Sequence, residues 1–201
     1  VQFPEYTAYF NGKGGEDDTL NEKNAYDKLS EMIGLGNVKK VIDGAINYFK
    51  LQNEYKQRNI EFVRPAMHMV FTGNPGTAKT TVARLLAQIL RDNKVLSRGE
   101  LVEVGRADLV GEYVGQTAPK VKDVFRRAKG SVLFIDEAYS LLDDKKGLYG
   151  DEAINTIVQE MENARDDVIV IFAGYKNEME EFVERNPGLS SRIAFHVDFD
   201  D

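Results

Sequence analysis

Gly73-Asn74-Pro75-Gly76-Thr77-Ala78-Lys79-Thr80-Thr81 is the stretch on which the reading of this chain turns. It fits the phosphate-loop pattern G-x-x-x-x-G-K-[ST] at every defining position but one, Ala78 standing where the second glycine belongs. Gly73 and Gly76 let the backbone turn tightly and present N–H groups to phosphate oxygens. A helix opening near Lys79 would aim its positive dipole end at the same place. Lys79 is then placed to reach the β- and γ-phosphates, and the Thr80 hydroxyl to ligate Mg²⁺. Asn74, Pro75, Gly76, Thr77, Ala78 and Thr81 complete the candidate nucleotide-binding loop with them. Alanine is the smallest intrusion at position 78, and a position opening a helix is expected to have backbone angles that suit it. The methyl should therefore weaken nucleotide binding relative to glycine without abolishing it.

Working outward, apolar runs of strand length alternate with helical patterns. The runs are Met67–Phe71, Leu101–Val104, Val132–Ile135, Val168–Ala173 and Ala194–Phe199. Helices are predicted between them at 79–92, 118–129, 151–164 and 177–185. Strand–helix alternation of this kind implies an α/β fold, a parallel sheet covered on both faces. Val132–Ile135 and Val168–Phe172 are apolar without alternation, as central strands are. Ahead of the sheet, apolar residues from Val38 to Phe49 recur at helical spacing and predict a long amphipathic helix from 37 to about 57. Thr19 with Glu22 resembles a capping box for a shorter helix running through Leu29. Residues 1–18 read as a linker or tail, and 19–201 as one nucleotide-binding domain.

The run Ser131-Val132-Leu133-Phe134-Ile135 ends in Asp136-Glu137, an apolar strand closing on two carboxylates, which is a Walker B pattern. Asp136 would hold the Mg²⁺ shell, and Glu137 would orient and polarise an attacking water. Adjacent carboxylates at a strand end repel each other without a cation, one reason to expect one there.

GNPGTAKT, then LFIDEAYSL, then VIVIFAGYKNEM, then NPGLSSRIAFHVDF occur in order from about Leu29 to Asp201, and together they resemble the AAA+ ATPases of the CbbX group. That group includes red-type Rubisco activases, stage V sporulation protein K ATPases and the ATPases of type VII secretion. The resemblance implies a three-layer αβα sandwich with a five-stranded parallel sheet of order 5-1-4-3-2. It also implies a homo-oligomer, a hexameric ring that uses ATP and Mg²⁺ to remodel a protein client at its central pore. Ile33-Gly34-Leu35 matches the segment lining the adenine pocket, and Tyr113-Val114-Gly115 matches the aromatic–hydrophobic–glycine pore loop. Arg192 matches the arginine finger that reaches a neighbouring subunit's γ-phosphate, with Arg185 and the pair Arg126-Arg127 as rivals. The polar sensor after the fourth strand falls at Tyr175 or at Asn177. Ser190 stands where relatives often carry a second arginine, and the family's lid subdomain is expected beyond Asp201.

A formal net charge of −7 speaks against a general nucleic-acid binder. With no cysteine there are no disulfides, thiolate metal sites or catalytic thiols. No stretch approaches the roughly 18 apolar residues of a membrane span, and no signal segment opens the chain, so a cytoplasmic address is expected. The chain opens on Val1 and breaks off at Asp201 and so reads as part of something longer. Two further readings stand beside the remodelling ATPase: a nucleotide-switched assembly scaffold with little turnover, and a nucleic-acid-acting loader. His68 and His196 lie in strand-like runs and are expected to be packed rather than catalytic. Leu142–Gly147 is expected to be a solvated loop, and Glu178, Glu180, Glu181 and Glu184 the wet face of a helix.

Overall fold

The computed structural model describes residues 24–58, 67–142 and 149–199. The expected tail, the Thr19–Glu22 box and most of the 142–147 loop lie outside the described residues. Five strands, β1 (His68–Thr72), β2 (Leu101–Val104), β3 (Ser131–Ile135), β4 (Val168–Gly174) and β5 (Ile193–Asp198), form one sheet. Their order is β2-β3-β4-β1-β5 and every pairing is parallel, which is the expected order read from the other edge.

The alternation of side chains along each strand divides the interior in two. Met69 and Phe71, Val132 and Phe134, and Ile169, Ile171 and Ala173 pack under α1 (Ala25–Glu31), α2 (Gly36–Gln57) and α3 (Lys79–Asp92). Val70, Leu133, Ile135, Val168, Val170 and Phe172 face the other way. They are covered by α5 (Thr117–Arg127), α6 (Tyr149–Asn163) and α7 (Lys176–Glu184). β3 and β4 are buried along their whole length, which is why their sequences carry no polar alternation. Each fully buried Phe or Leu contributes roughly 1.5–3 kcal/mol. Those contributions make the centre of the sheet a rigid base for whatever stands at its ends.

α1 is capped by Asn24, whose side chain accepts from the Asp27 N–H at 2.9 Å. Two short helices, α4 (Arg106–Leu109) and α8 (Pro187–Ser190), and a 3-10 turn at Ala138–Leu142 add to the expected elements. They were hidden because one turn of helix is too short to show a hydrophobic period. His196 corrects an expectation: it is exposed, while His68 is buried. β5 is the sheet's edge: Phe195 and Val197 pack into one core cluster and Ile193 against the other, while His196 is left exposed. His68 sits on the inner strand β1. Its Nδ1 accepts from the Val170 N–H at 3.0 Å and its Nε2 lies 3.3 Å from the Met161 carbonyl oxygen. Burial brings its pKa down to about 4, so the ring is neutral.

Among the described residues no helix is long and apolar enough to cross a membrane.

Candidate nucleotide site

Register assembles the site. Thr72 at the end of β1 lies level with Gly174 on β4 and Asp198 on β5. β3 ends with Ile135 opposite Phe172, so Asp136 and Glu137 emerge beside the last residues of β4. The loop 73–78 leaves β1 along this row, held by the Gly73 N–H donating to the Gly174 carbonyl at 3.2 Å. A Cβ on Gly73 would sit 2.6 Å from the Phe199 carbonyl oxygen, so only glycine fits there. The result is a cleft of about 460 Å³ lined by the loop, Lys79, Thr80, Thr81, Asp136, Glu137, Tyr139 and Tyr175.

α3 begins without a side-chain cap and with no acidic residue in its first turn. Its leading N–H groups therefore face the cleft with neither a protein acceptor nor a repelling charge supplied by that turn, the arrangement that receives an anion. The Lys79 ammonium donates to the carbonyls of Gly73 at 2.8 Å and Asn74 at 2.7 Å. Burial lowers the Lys79 pKa and the Asp136 carboxylate works against that. The Glu137 N–H donates to Asp136 Oδ1 at 3.1 Å, and the Asp136 N–H to the Val104 carbonyl at 3.0 Å, which ties the acidic pair to β2.

Ala78 overturns the expectation that its backbone angles suit alanine. Its φ is 67° and its ψ 17°, the left-handed region. A Cβ there costs about 1–2 kcal/mol, which is the physical reason for the pattern's second glycine.

Thr80 and Asp136 share the cleft, and both offer the hard oxygen donors that Mg²⁺ prefers. Among the described residues no group of three or more His, Asp or Glu side chains could hold a metal alone. The donor set therefore fits an ion that takes its remaining ligands from phosphate and water.

The other candidates lie elsewhere. Ile33 is 98% exposed at a turn where Gly34 has φ 86°, and Leu35 packs against the core beside it. The Lys39 ammonium closes the end of α1 by donating to the carbonyls of Ser30 and Met32, at 2.7 and 2.6 Å, which fixes that turn. Asn177 is exposed in the first turn of α7. Tyr175, its rival as sensor, lines the cleft. Tyr113 is 67% and Val114 85% exposed at the tip of the loop between α4 and α5, where Gly115 has φ 80°. The base of that loop is fixed. The Lys120 ammonium donates to the Ala107 and Val110 carbonyls, and the Gly111 N–H to Thr117 Oγ1.

Arg192 is at the opposite end of the sheet from the cleft, just before β5 begins. It is separated from the cleft by the length of that strand, about 20 Å. Its Nη1 donates to the Gly188 carbonyl at 3.0 Å, and its Nε lies 3.3 Å from Glu162 Oε2 without a hydrogen bond of its own. The rivals are engaged on their own helices, Arg185 with Glu181, Arg126 and Arg127 with Asp123.

The site missed by motif reading is Tyr139. It faces Tyr175 with ring centroids 6.0 Å apart, over Gly174. No sequence spacing signals it, because the contact joins the ends of two strands that are far apart along the chain.

Residues 69–201 match the model of the ATPase family associated with various cellular activities, AAA. The chain belongs to the AAA family of ATPases. It is 51% identical over 172 residues to Protein CbxX, chromosomal, of Cupriavidus necator, covering 85% of this chain and 54% of that protein. It is 49% identical over 185 residues to the Protein CfxQ homolog of Pyropia yezoensis, 92% of this chain and 60% of that one. It is also 49% identical over 172 residues to the chloroplastic ribulose bisphosphate carboxylase/oxygenase activase of Cyanidioschyzon merolae, 85% and 59% of the two chains. The resemblance to the CbbX group read from the motifs therefore holds. This AAA chain spans 54 to 60% of the length of these curated relatives.

Proposed function

We propose that this AAA chain binds Mg²⁺-ATP in the cleft at the carboxyl ends of its strands and hydrolyses it to remodel a protein client. The observation that carries the reading is the convergence, in one cleft, of an uncapped helix start, Lys79, Thr80 and the Asp136–Glu137 pair. The loop N–H groups and Lys79 bind the phosphates. Thr80 and Asp136 would hold Mg²⁺, which supplies charge neutralisation at the phosphates when bound. Glu137 orients the water and accepts its proton. Ile33, Gly34 and Leu35 border the base, and Tyr175 senses the γ-phosphate side of the cleft in preference to Asn177, which lies outside it.

Arg192 completes the site of another copy. It stands about 20 Å from its own cleft, too far to serve it, which favours a ring, hexameric as the resemblance implies. Tyr113, Val114 and Gly115 form the pore loop. An exposed aromatic on an anchored loop can hold an unfolded segment by its apolar face without reading its sequence. The client is a protein, with no nucleic acid expected. A relative's printed name, ribulose bisphosphate carboxylase/oxygenase activase, points to the class of client. A cysteine-free chain of this kind suits the cytoplasm or an equivalent reducing compartment.

The test is Glu137→Gln. ATP should remain bound while turnover falls at least ~10²-fold. Wild-type turnover in that variant would remove Glu137 from catalysis. A wild-type protein that binds ATP yet turns over negligibly would leave the switched scaffold as the better reading, which the left-handed Ala78 favours.

A further inference from the structure

The turn that follows Glu137 is held unusually firmly. Glu137 itself has φ 47°, a left-handed conformation for a residue with a Cβ. The Ser140 N–H donates back to the Glu137 carbonyl at 2.8 Å, and the Ser140 carbonyl accepts from Arg106 Nη1 at 2.6 Å. This closes the 3-10 turn and points Tyr139 into the cleft. The ring lies over Gly174: a Cβ there would come within 2.7 Å of Tyr139 Cδ1. Tyr175 flanks it at a ring angle of 42°. Tyr139 and Glu137 line the same cleft, the tyrosine on the 3-10 segment that follows the carboxylate.

We propose that Tyr139 is a positioning residue for Glu137, its hydroxyl donating to one carboxylate oxygen while Gly174 and Tyr175 fix the ring. The other carboxylate oxygen is then left to accept from the attacking water. Burial, with Glu137 close by, pushes the Tyr139 pKa up to about 12, so the phenol keeps its proton and can only donate to an anion across the neutral range. The inference rests on Glu137 being the group that orients water.

Tyr139→Phe keeps the ring and its packing and removes only the hydroxyl. Three quantities are measured: kcat and KM for Mg²⁺-ATP, the equilibrium affinity for a fluorescent ATP analogue, and kcat in a Glu137→Gln background. A charge-assisted hydrogen bond is lost, so kcat should fall roughly tenfold. The affinity should stay within about twofold, because the hydroxyl acts on the carboxylate and not on the phosphates. Adding Tyr139→Phe to Glu137→Gln should bring no further loss. An unchanged kcat overturns the proposal. So does an affinity that falls in step with kcat, or a loss that adds in full to that of Glu137→Gln. If Glu137→Gln alone turns over at the wild-type rate, the underlying reading of Glu137 fails, and this inference with it. If Glu137→Gln is inactive and Tyr139→Phe keeps the wild-type kcat, this inference alone fails.

Discussion

At the carboxyl ends of the strands, Lys79, Asp136 and Glu137 stand around an open cleft. At the amino ends, Arg192, Glu162 and His68 are folded against one another and against backbone. The first end holds exposed carboxylates and an uncapped helix, with the Lys79 ammonium beside them in an open cleft. The second end is largely balanced within the chain. His68 uses both ring nitrogens, and among the described residues the Nε of Arg192 and the Ser131 Oγ at the start of β3 are buried without a hydrogen-bond partner. One end is built to receive a small charged molecule. The other carries a cation that has no reach to that molecule in its own subunit.

The largest effect expected from this contrast is at Arg192. Arg192→Ala should lower the ATPase rate by ~10³-fold, the scale of a cation lost from a phosphoryl-transfer transition state. Equilibrium nucleotide affinity measured alongside should change little. A loss of folding in place of a loss of rate, seen in the thermal melt, would reduce Arg192 to a structural partner of Glu162.

His68 sharpens the same contrast through pH. Its pKa is about 4 in the folded chain against 6.5 for a free histidine, so between those values the unfolded chain binds the extra proton. The stabilisation is complete above pH 6.5 and is lost as pH falls toward 4, about 3 kcal/mol in all. Unfolding curves from pH 7 to 4.5 should show this slope, and His68→Gln should flatten it. Equal slopes would mean that the ring is not held neutral.

At the cleft end, Gly174→Ala should destabilise the protein by about 1–3 kcal/mol, because the new methyl must displace the Tyr139 ring or the Met179 sulfur. Denaturant titration reads this directly. The smallest effect is Ala78→Gly. Relief of the left-handed strain outweighs the entropy that glycine adds to the unfolded chain, for a net gain of about 0.5–1 kcal/mol. If nucleotide binding is what orders the loop, the gain appears as tighter binding in a calorimetric titration. No change in either stability or affinity would mean that the angle relaxes at no cost.

The two ends were not equally legible in the sequence. The strands, their helices and the contents of the cleft were readable because each rests on local pattern. β3 and β4 are uninterrupted apolar runs, and the phosphate loop and the acidic pair each sit directly at a strand end. His196 was misread because an apolar run does not say whether its strand lies inside the sheet or at its edge. The strain at Ala78 was not visible, since a helix start can adopt either hand until the loop before it is built. Tyr139 over Gly174 and Arg192 against Glu162 are contacts between distant segments, fixed by register and packing and by no motif.

The central claim is that a cleft at one end of the sheet is completed by an arginine from the other end of a second copy. Mixing two inactive variants tests it most directly. Lys79→Ala removes the proposed phosphate-binding lysine and Arg192→Ala the proposed finger, so each alone should be silent. In an equimolar mixture, intact clefts of Arg192→Ala protomers meet intact Arg192 side chains of Lys79→Ala protomers, and a measurable fraction of the wild-type ATPase rate should return. A mixture that stays silent, while wild-type specific activity is flat with protein concentration, would contradict the claim and leave each protomer hydrolysing ATP alone.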